Sequence, residues 1–211
     1  MMIRGAPTLS ERKIEVSAKI NKDILDYEAT KPSEGGASFT LRNRLIRFVW
    51  NVVWYLCAAW TPPFMHGWRR FLLISFGAKM GQKTDVRGSA RIWYPPLLDL
   101  GDGALLAERV ICYNQAKITL GKSALVSQGA HLCAGSHDID SPTFQLEAKP
   151  IYIGAYAWIA ADAFVGPGVR VGKRAVLGAR GVTFSDLEAG MVYVGNPARQ
   201  TRSRKFYREL K

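Results

Sequence analysis

Cysteine, histidine and acid are all scarce in this chain of 211 residues, and no long apolar run is present; each shortage excludes something. Cys57, Cys112 and Cys133 form no CxxC pair and are too few for a disulfide-stapled scaffold, so they suit a reducing, cytoplasmic setting. Three histidines, His66, His131 and His137, leave little room for metal chemistry. Against 29 Lys+Arg stand only 17 Asp+Glu, a formal net charge of +12. The most apolar stretch, Leu45–Trp60, has 16 residues, carries Arg47 and Asn51, and is followed by Pro62-Pro63. A spanning helix needs roughly 20 mainly apolar residues, so a transmembrane span is not expected. No secretory signal is read in the opening residues. With 48% hydrophobic and 22% charged residues, the chain can build a core, which excludes wholesale disorder.

Four segments follow from composition. Residues 1–38 are polar and broken by Pro7, Pro32 and Gly35-Gly36, and read as a mobile extension with a short helix near Lys13–Tyr27. Residues 39–78 read as helical. Within them, 45–76 either packs on the main domain or lies in a membrane interface, being rich in Trp and Arg. Residues 79–198 form the main domain. Residues 199–211 are a basic tail, with six bases (Arg199, Arg202, Arg204, Lys205, Arg208, Lys211) against Glu209. Such charge suits nucleic acid, anionic lipid or a phosphorylated cofactor. No nucleic-acid-reading motif accompanies it, so a nucleic-acid partner is not expected.

The main domain is a repeat with a period of six. Aliphatic residues open hexads at Met80, Val86, Ile92; Leu100, Leu106, Cys112; Leu120, Val126, Leu132; Ile153, Ile159, Val165; and Val171, Leu177, Thr183. The fifth position is Ser, Thr, Ala or Val in twelve of the fifteen hexads, Pro96, Gly181 and Leu187 being the exceptions. The second position is often Gly, which permits unusual backbone angles. A period of six is neither helical nor a simple strand alternation. It fits a short strand and a turn, three to a coil, with the first residue inward and the small fifth residue at an interior corner. Stacked coils then bury a core that no single coil could bury. Two extra residues precede Leu100, two precede Leu120, and fifteen (Asp138–Tyr152) follow His137. All three breaks come after a third hexad, so loops and function should gather on one edge of the prism.

The segments FGAKMG (Phe76–Gly81), SQGAHLCAGSHDIDSPTF (Ser127–Phe144), KPIYIGAYAWIAADAFVGPGVRVG (Lys149–Gly172) and VGNPAR (Val194–Arg199) closely resemble the hexapeptide-repeat acyltransferases. Within them the chain looks like the colanic-acid-type sugar O-acetyltransferases of exopolysaccharide biosynthesis, over roughly residues 45–205. The resemblance implies an all-β, left-handed parallel β-helix of about five coils with an N-terminal helical appendage. It also implies a homotrimer with sites between subunits, acetyl-CoA as co-substrate, and a sugar or lipid-linked saccharide as acceptor. A three-histidine zinc site, as in the γ-type carbonic anhydrases that share this fold, is not expected, because His66 is helical and the other two histidines face different sides.

Acetyl transfer to a hydroxyl needs a base at the hydroxyl and donors for the oxyanion. His137, at a sixth position, points outward on the loop edge, and in the resembling enzymes the histidine at this place is the general base. His131 lies one hexad earlier and on another face. Asn114 and Tyr113 sit in the third hexad of the preceding coil, where Asn114 could reach the acceptor or orient the imidazole. Asp138 and Phe144 in the insertion are candidates for sugar contact. Ser136 is read as an interior corner residue, which leaves no nucleophile beside His137. By resemblance, Trp158 lines the inter-subunit cleft near the cofactor, Ala160 and Ala179 leave room for the pantetheine arm, and Arg199 and Arg202 approach the nucleotide phosphates. Where many relatives carry Thr-Lys after the last coil, this chain has Phe184-Ser185; Arg180, Lys173 or Arg174 could supply the missing charge. The contrasting reading is a non-catalytic trimeric scaffold that binds a partner through the basic tail.

Overall fold

The computed structural model describes residues 22–205. From Lys79 the chain winds as a left-handed parallel β-helix of triangular section, with five complete coils and the start of a sixth. Face one carries the strands Lys79–Met80, Leu98–Leu100, Ile118–Leu120, Ile151–Ile153 and Arg170–Val171. Face two carries Asp85–Val86, Leu105–Leu106, Leu125–Val126, Trp158–Ile159, Val176–Leu177 and Met191–Val194. Face three carries Arg91–Ile92, Ile111–Tyr113, His131–Cys133, Phe164–Val165 and Val182–Thr183. The hexad reading holds at the inward positions. Val86, Leu106, Leu132, Ile159 and Val171 are all buried, and each coil stacks its aliphatics on the next. Burial of one such side chain contributes roughly 1.5–3 kcal/mol, and the stacking makes the core continuous.

The second-position glycines serve another purpose than expected. Gly81, Gly101, Gly121 and Gly154 have no positive φ. They form a column at the corner after face one, where a Cβ on Gly121 would stand 2.6 Å from the Ala155 backbone nitrogen and one on Gly154 2.6 Å from that of Lys173. The next coil's backbone passes too close for any side chain, and backbone cannot move aside. Gly121→Ala is therefore expected to cost about 1–3 kcal/mol or more, read as a lowered thermal midpoint. Gly67→Ala, in open space on a helix, should be neutral or slightly stabilising. Equal midpoints for the two variants would contradict the close-approach account.

Three boundaries differ from the sequence expectation. The long insertion is a β-hairpin whose arms, Gly135–His137 and Leu146–Ala148, pair antiparallel. It leaves the coil before Ser136, so Ser136 is exposed rather than at an interior corner. Pro96 is likewise exposed, on a 3-10 turn at the same edge. Leu187, read as a fifth-position residue, bridges in parallel to Val171 and opens the sixth coil.

The N-terminal helices close the open end of the β-helix. α1 (Tyr27–Thr30) is short; α2 (Leu41–Cys57) and α3 (His66–Ser75) pack across the first coil. Thr40 caps α2, its hydroxyl accepting from the Asn43 N–H. A terminal coil presents unpaired carbonyls, and side-chain donors take them. Trp50 Nε1 donates to Ile92 O (2.7 Å) and Trp54 Nε1 to Gly88 O and Ala90 O (3.0 and 3.1 Å). Arg69, fully buried, donates to Val86 O (2.6 Å) and pairs with Asp85, while Arg70 donates to Gly81 O and Met80 O. Much of the Trp and Arg content of this segment is thus explained by capping. Among the described residues, no helix is long and apolar enough to cross a membrane.

Both termini depart from the segment reading. Most of the expected helix near Lys13–Tyr27 lies outside the described residues, as do Arg208, Glu209 and Lys211. Residues 22–40 are not a loose extension. They fold back on themselves through an Ile24–Phe39 bridge, Leu25 N donating to Ser38 O and Thr40 N to Asp23 O. At the other end, Arg199–Ser203 is no tail but a strand antiparallel to Met191–Val194, joined to it by the GNPA turn.

Candidate active site

The edge between faces three and one gathers the breaks in the repeat: the turn at Pro95–Leu97, the corner Asn114–Gln115 and the hairpin. His137 ends the first hairpin arm and is exposed. Its ring stacks on Phe144 with centroids 4.3 Å apart and planes 11° apart. Its Nδ1 lies 2.8 Å from the Phe144 carbonyl oxygen. A carbonyl can only accept, so Nδ1 carries the proton in the neutral ring and Nε2 presents its lone pair. Phe144 reaches this position with φ of 50°, a left-handed conformation that L-residues seldom adopt. Asp138 is turned inward on its own loop, its carboxylate accepting from Asp140 N at 3.1 Å.

Residues 22–40 wrap this hairpin. Tyr27 N donates to Gln145 Oε1 at 2.8 Å, and Gln145 Nε2 donates to Leu25 O at 3.3 Å. Gln145 directly follows the residue whose carbonyl holds His137. Two clefts result, one on either side. The first, about 390 Å³, is lined by Gly35–Phe39, Arg44, Arg47, Tyr113, Gln115, His137 and Leu146. The second, about 370 Å³ and more apolar, runs between Leu25, Tyr27, Pro32 and the hairpin residues Pro142–Leu146, with His137 at its rim.

Tyr113 is half-buried in the first cleft and accepts from Gln115 Nε2 at 2.8 Å, which leaves its own O–H to donate. Burial pushes its phenol up, Cys133 adds to this, and Arg47 and the Gln115 hydrogen bond oppose it. It therefore stays protonated at neutral pH. Asn114 does not reach the cleft. It is fully buried, its Oδ1 accepting from Tyr94 N (3.0 Å) and its Nδ2 donating to Tyr94 O (2.7 Å). Both amide ends are spent bracing the coil below, so its role is structural. Gln115, one residue on, is the corner side chain that lines the cleft. Sequence reasoning missed it, together with Phe39, Arg44 and Arg47. His131 stands on face three, edge-to-face with Phe164, and burial lowers its affinity for a proton. It borders neither cleft.

The residues assigned to the cofactor sit elsewhere. Trp158 projects from face two, its Nε1 donating to Ser127 Oγ at 2.8 Å. It is in register with Val176, Val192 and Arg202 across successive strands. Three strand spacings put Arg202 about 14 Å from Trp158. A register shift between Val192 and Tyr193 pairs Arg202 with Val192 and Arg199 with Val194. Residues three apart on a regular strand point to opposite sides; the shift puts both arginines on the outward side with Trp158. Ala160 is buried at the corner after face two and Ala179 is exposed there, one coil on. Arg180 lies above Asp162, 3.9 Å away, and is 84% exposed. None of these residues borders the clefts at His137. Among the described residues, no group of three His, Cys, Asp or Glu is arranged to hold a metal ion.

No family model matches the chain. Over 183 residues, covering 87% of this chain and 97% of the relative, it is 39% identical to the "Putative colanic acid biosynthesis acetyltransferase WcaF" of Escherichia coli (strain K12). Among solved structures, it superposes with a TM-score of 0.71 on the hexapeptide-repeat-containing acetyltransferase VCA0836 from Vibrio cholerae O1 biovar eltor, complexed with acetyl coenzyme A. That match covers 79% of this chain and 91% of the other at 23% identity. It superposes with a TM-score of 0.67 on a galactoside acetyltransferase in complex with coenzyme A, at 18% identity over 83% and 91% of the two chains.

Proposed function

The chain belongs to the hexapeptide-repeat acetyltransferases of the colanic-acid type, and we propose on that footing that it transfers the acetyl group of acetyl-CoA to a sugar hydroxyl during surface-polysaccharide assembly, with His137 as general base. The observation that carries the base assignment is the His137–Phe144 pair. The carbonyl contact and the ring stack hold the imidazole with Nε2 as the available base. Nε2 removes the hydroxyl proton as the oxygen attacks the thioester carbonyl. The tetrahedral centre then collapses, the C–S bond breaks, and the coenzyme A sulfur takes the proton from the imidazolium. No covalent enzyme intermediate is needed. Tyr113, protonated and at the cleft, is suited to hold the acceptor.

The reading includes a homotrimer. His137 stands on the edge between faces three and one, whereas Trp158, Ala160, Ala179, Arg180, Arg199 and Arg202 stand on face two and the corner after it. A site that joins the two sets draws on two copies of the chain. Trp158 then lies against the cofactor, with Arg199 and Arg202 on its phosphates. A charge-assisted contact is worth about 1.5–3 kcal/mol. Arg202→Ala should therefore raise KM for acetyl-CoA by about one to two decades with little change in kcat, since the phosphates bind alike in ground and transition states. A fall in kcat at unchanged KM would place Arg202 away from the cofactor.

The reading also places the protein in the cytoplasm, in peripheral contact with the membrane. α2 turns Leu41, Leu45, Phe48, Val52, Tyr55 and Leu56 to the outside, and Trp60, Phe64, Trp68 and Phe71 continue the surface. From Gly35 to Thr84 there is no acid and there are seven bases. Apolar side chains among bases suit an anionic lipid interface.

The test of the whole is thiol release from acetyl-CoA with purified protein and a panel of saccharides, with the acetylated product identified by mass. Saccharide-dependent release supports the assignment. No release with any saccharide, free or lipid-linked, would favour the non-catalytic trimeric scaffold.

A further inference from the structure

We propose that the acceptor carries an anionic group, a phosphate or a carboxylate, and that Arg44 and Arg47 hold it in the cleft beside His137. The inference rests on that cleft being the acceptor side of the acetyl-transfer site. Both arginines line it together with His137, Tyr113 and Gln115. Among the described residues, neither has an acidic partner. Arg47 donates from Nε to the neutral Asn43 Oδ1 at 2.8 Å, and the Arg44 side chain makes no hydrogen bond or ion pair with any described residue. The acids of residues 22–40 are Asp23, Asp26, Glu28 and Glu34, and none pairs with either arginine: Asp23 accepts from Thr40 Oγ1 and Asn43 Nδ2, Asp26 accepts from Glu28 N, and Glu34 pairs with Lys31.

Arg47 is held flat. Its guanidinium lies 4.3 Å from the Trp93 ring centroid and 5.3 Å from that of Phe39. The two rings also touch each other, with centroids 4.9 Å apart, so they cover one side of the guanidinium; its Nη N–H groups remain for a ligand, and that edge matches two oxygens of a phosphate or carboxylate. Burial and the like charge of Arg44 both weigh against the Arg47 cation. Two cations are thus confined at one cleft, and an anion between them would relieve the repulsion. A neutral sugar would not.

Two sources can supply such an anion next to a reacting hydroxyl: a uronic acid within the saccharide, or the phosphate that joins a saccharide to a lipid. Leu41, Leu45 and Phe48, on the same helix, extend from the arginines as exposed apolar surface, which suits the second.

The test uses the full chain and three acceptors sharing one saccharide: neutral, bearing a uronate, and linked through a phosphate to a short prenyl chain. Wild-type enzyme should prefer one or both anionic acceptors. Arg44→Gln and Arg47→Met should each raise KM for the preferred anionic acceptor about 10–100-fold, leaving KM for acetyl-CoA and the kinetics on the neutral acceptor unchanged. Methionine keeps the stem against Phe39 and Trp93, and Arg44 is exposed, so thermal midpoints should hold. Whichever anionic acceptor loses affinity identifies the source. Equal weakening on neutral and anionic acceptors would make the arginines structural and overturn the proposal, as would a wild type without preference. Equilibrium binding of the same three compounds without acetyl-CoA separates this idea from the catalytic one. Arginine-dependent binding of an anionic compound without any transfer would keep the anion site and remove the acetyltransferase reading. Absence of such binding would remove the site.

Discussion

Replacing His137 by alanine is expected to lower kcat by about two to four decades, the range usual for loss of a general base. KM for acetyl-CoA should change little, because the role assigned to His137 is at the acceptor hydroxyl, whereas cofactor binding is assigned to Trp158, Arg199 and Arg202. Folding should survive, since the side chain is exposed and its removal leaves no cavity. His131→Ala is the control. That residue is on face three and lines neither cleft, so its activity should remain near wild type. Phe144→Ala should fall between the two. It removes the ring stacked on the imidazole but keeps the carbonyl that fixes the tautomer. Single-turnover acetyl transfer on the three variants checks the order. Full activity in His137→Ala with loss in His131→Ala would reverse the assignment.

The second large effect concerns the helix surface. Phe48, Phe64 and Phe71 are 67%, 79% and 57% exposed. If they enter a lipid interface, each contributes roughly 1.5–3 kcal/mol on burial. Substituting all three by Glu should then weaken partitioning onto anionic liposomes by about three decades or more, read as loss of flotation. The thermal midpoint should stay the same, because none of the three packs in the core. Deleting the segment would be a poorer test. Trp50, Trp54, Arg69 and Arg70 cap carbonyls of the first coil, and their loss would damage the β-helix itself. If wild type never floats, or the triple variant floats equally well, the surface is covered by something other than lipid.

Particular residues show where reading the chain succeeds and where it stops. The inward aliphatics at Val86, Leu106, Leu132 and Ile159 are legible because strand alternation is local and repeats at a constant step. His137 is exposed as expected, but for another reason: it lies on the hairpin arm, off the coil, where Ser136 is exposed too. Asn114 stands two residues after the inward Cys112, so alternation itself turns it inward to Tyr94 and argues against a role at the acceptor; what alternation does not show is that Gln115, at the corner, faces the cleft. The corner glycines are visible as small residues, yet their cause is the backbone of the next coil, 19 to 34 residues away.

Composition, the six-residue period and the position of the breaks determined the β-helix and its loop-bearing edge, because each depends on residues close together in the chain. The folding of residues 22–40 over the hairpin was decided only in three dimensions. Its bonds join Tyr27 to Gln145 and Leu25 to Gln145, 118 and 120 positions apart, and no periodic pattern marks them. The same holds for Arg199 and Arg202, which share a face with Trp158 through a register shift in a strand that looked like tail. Local spacing encodes which side of a strand a residue occupies. Which distant segment covers that side depends on pairings that form only when the whole chain packs.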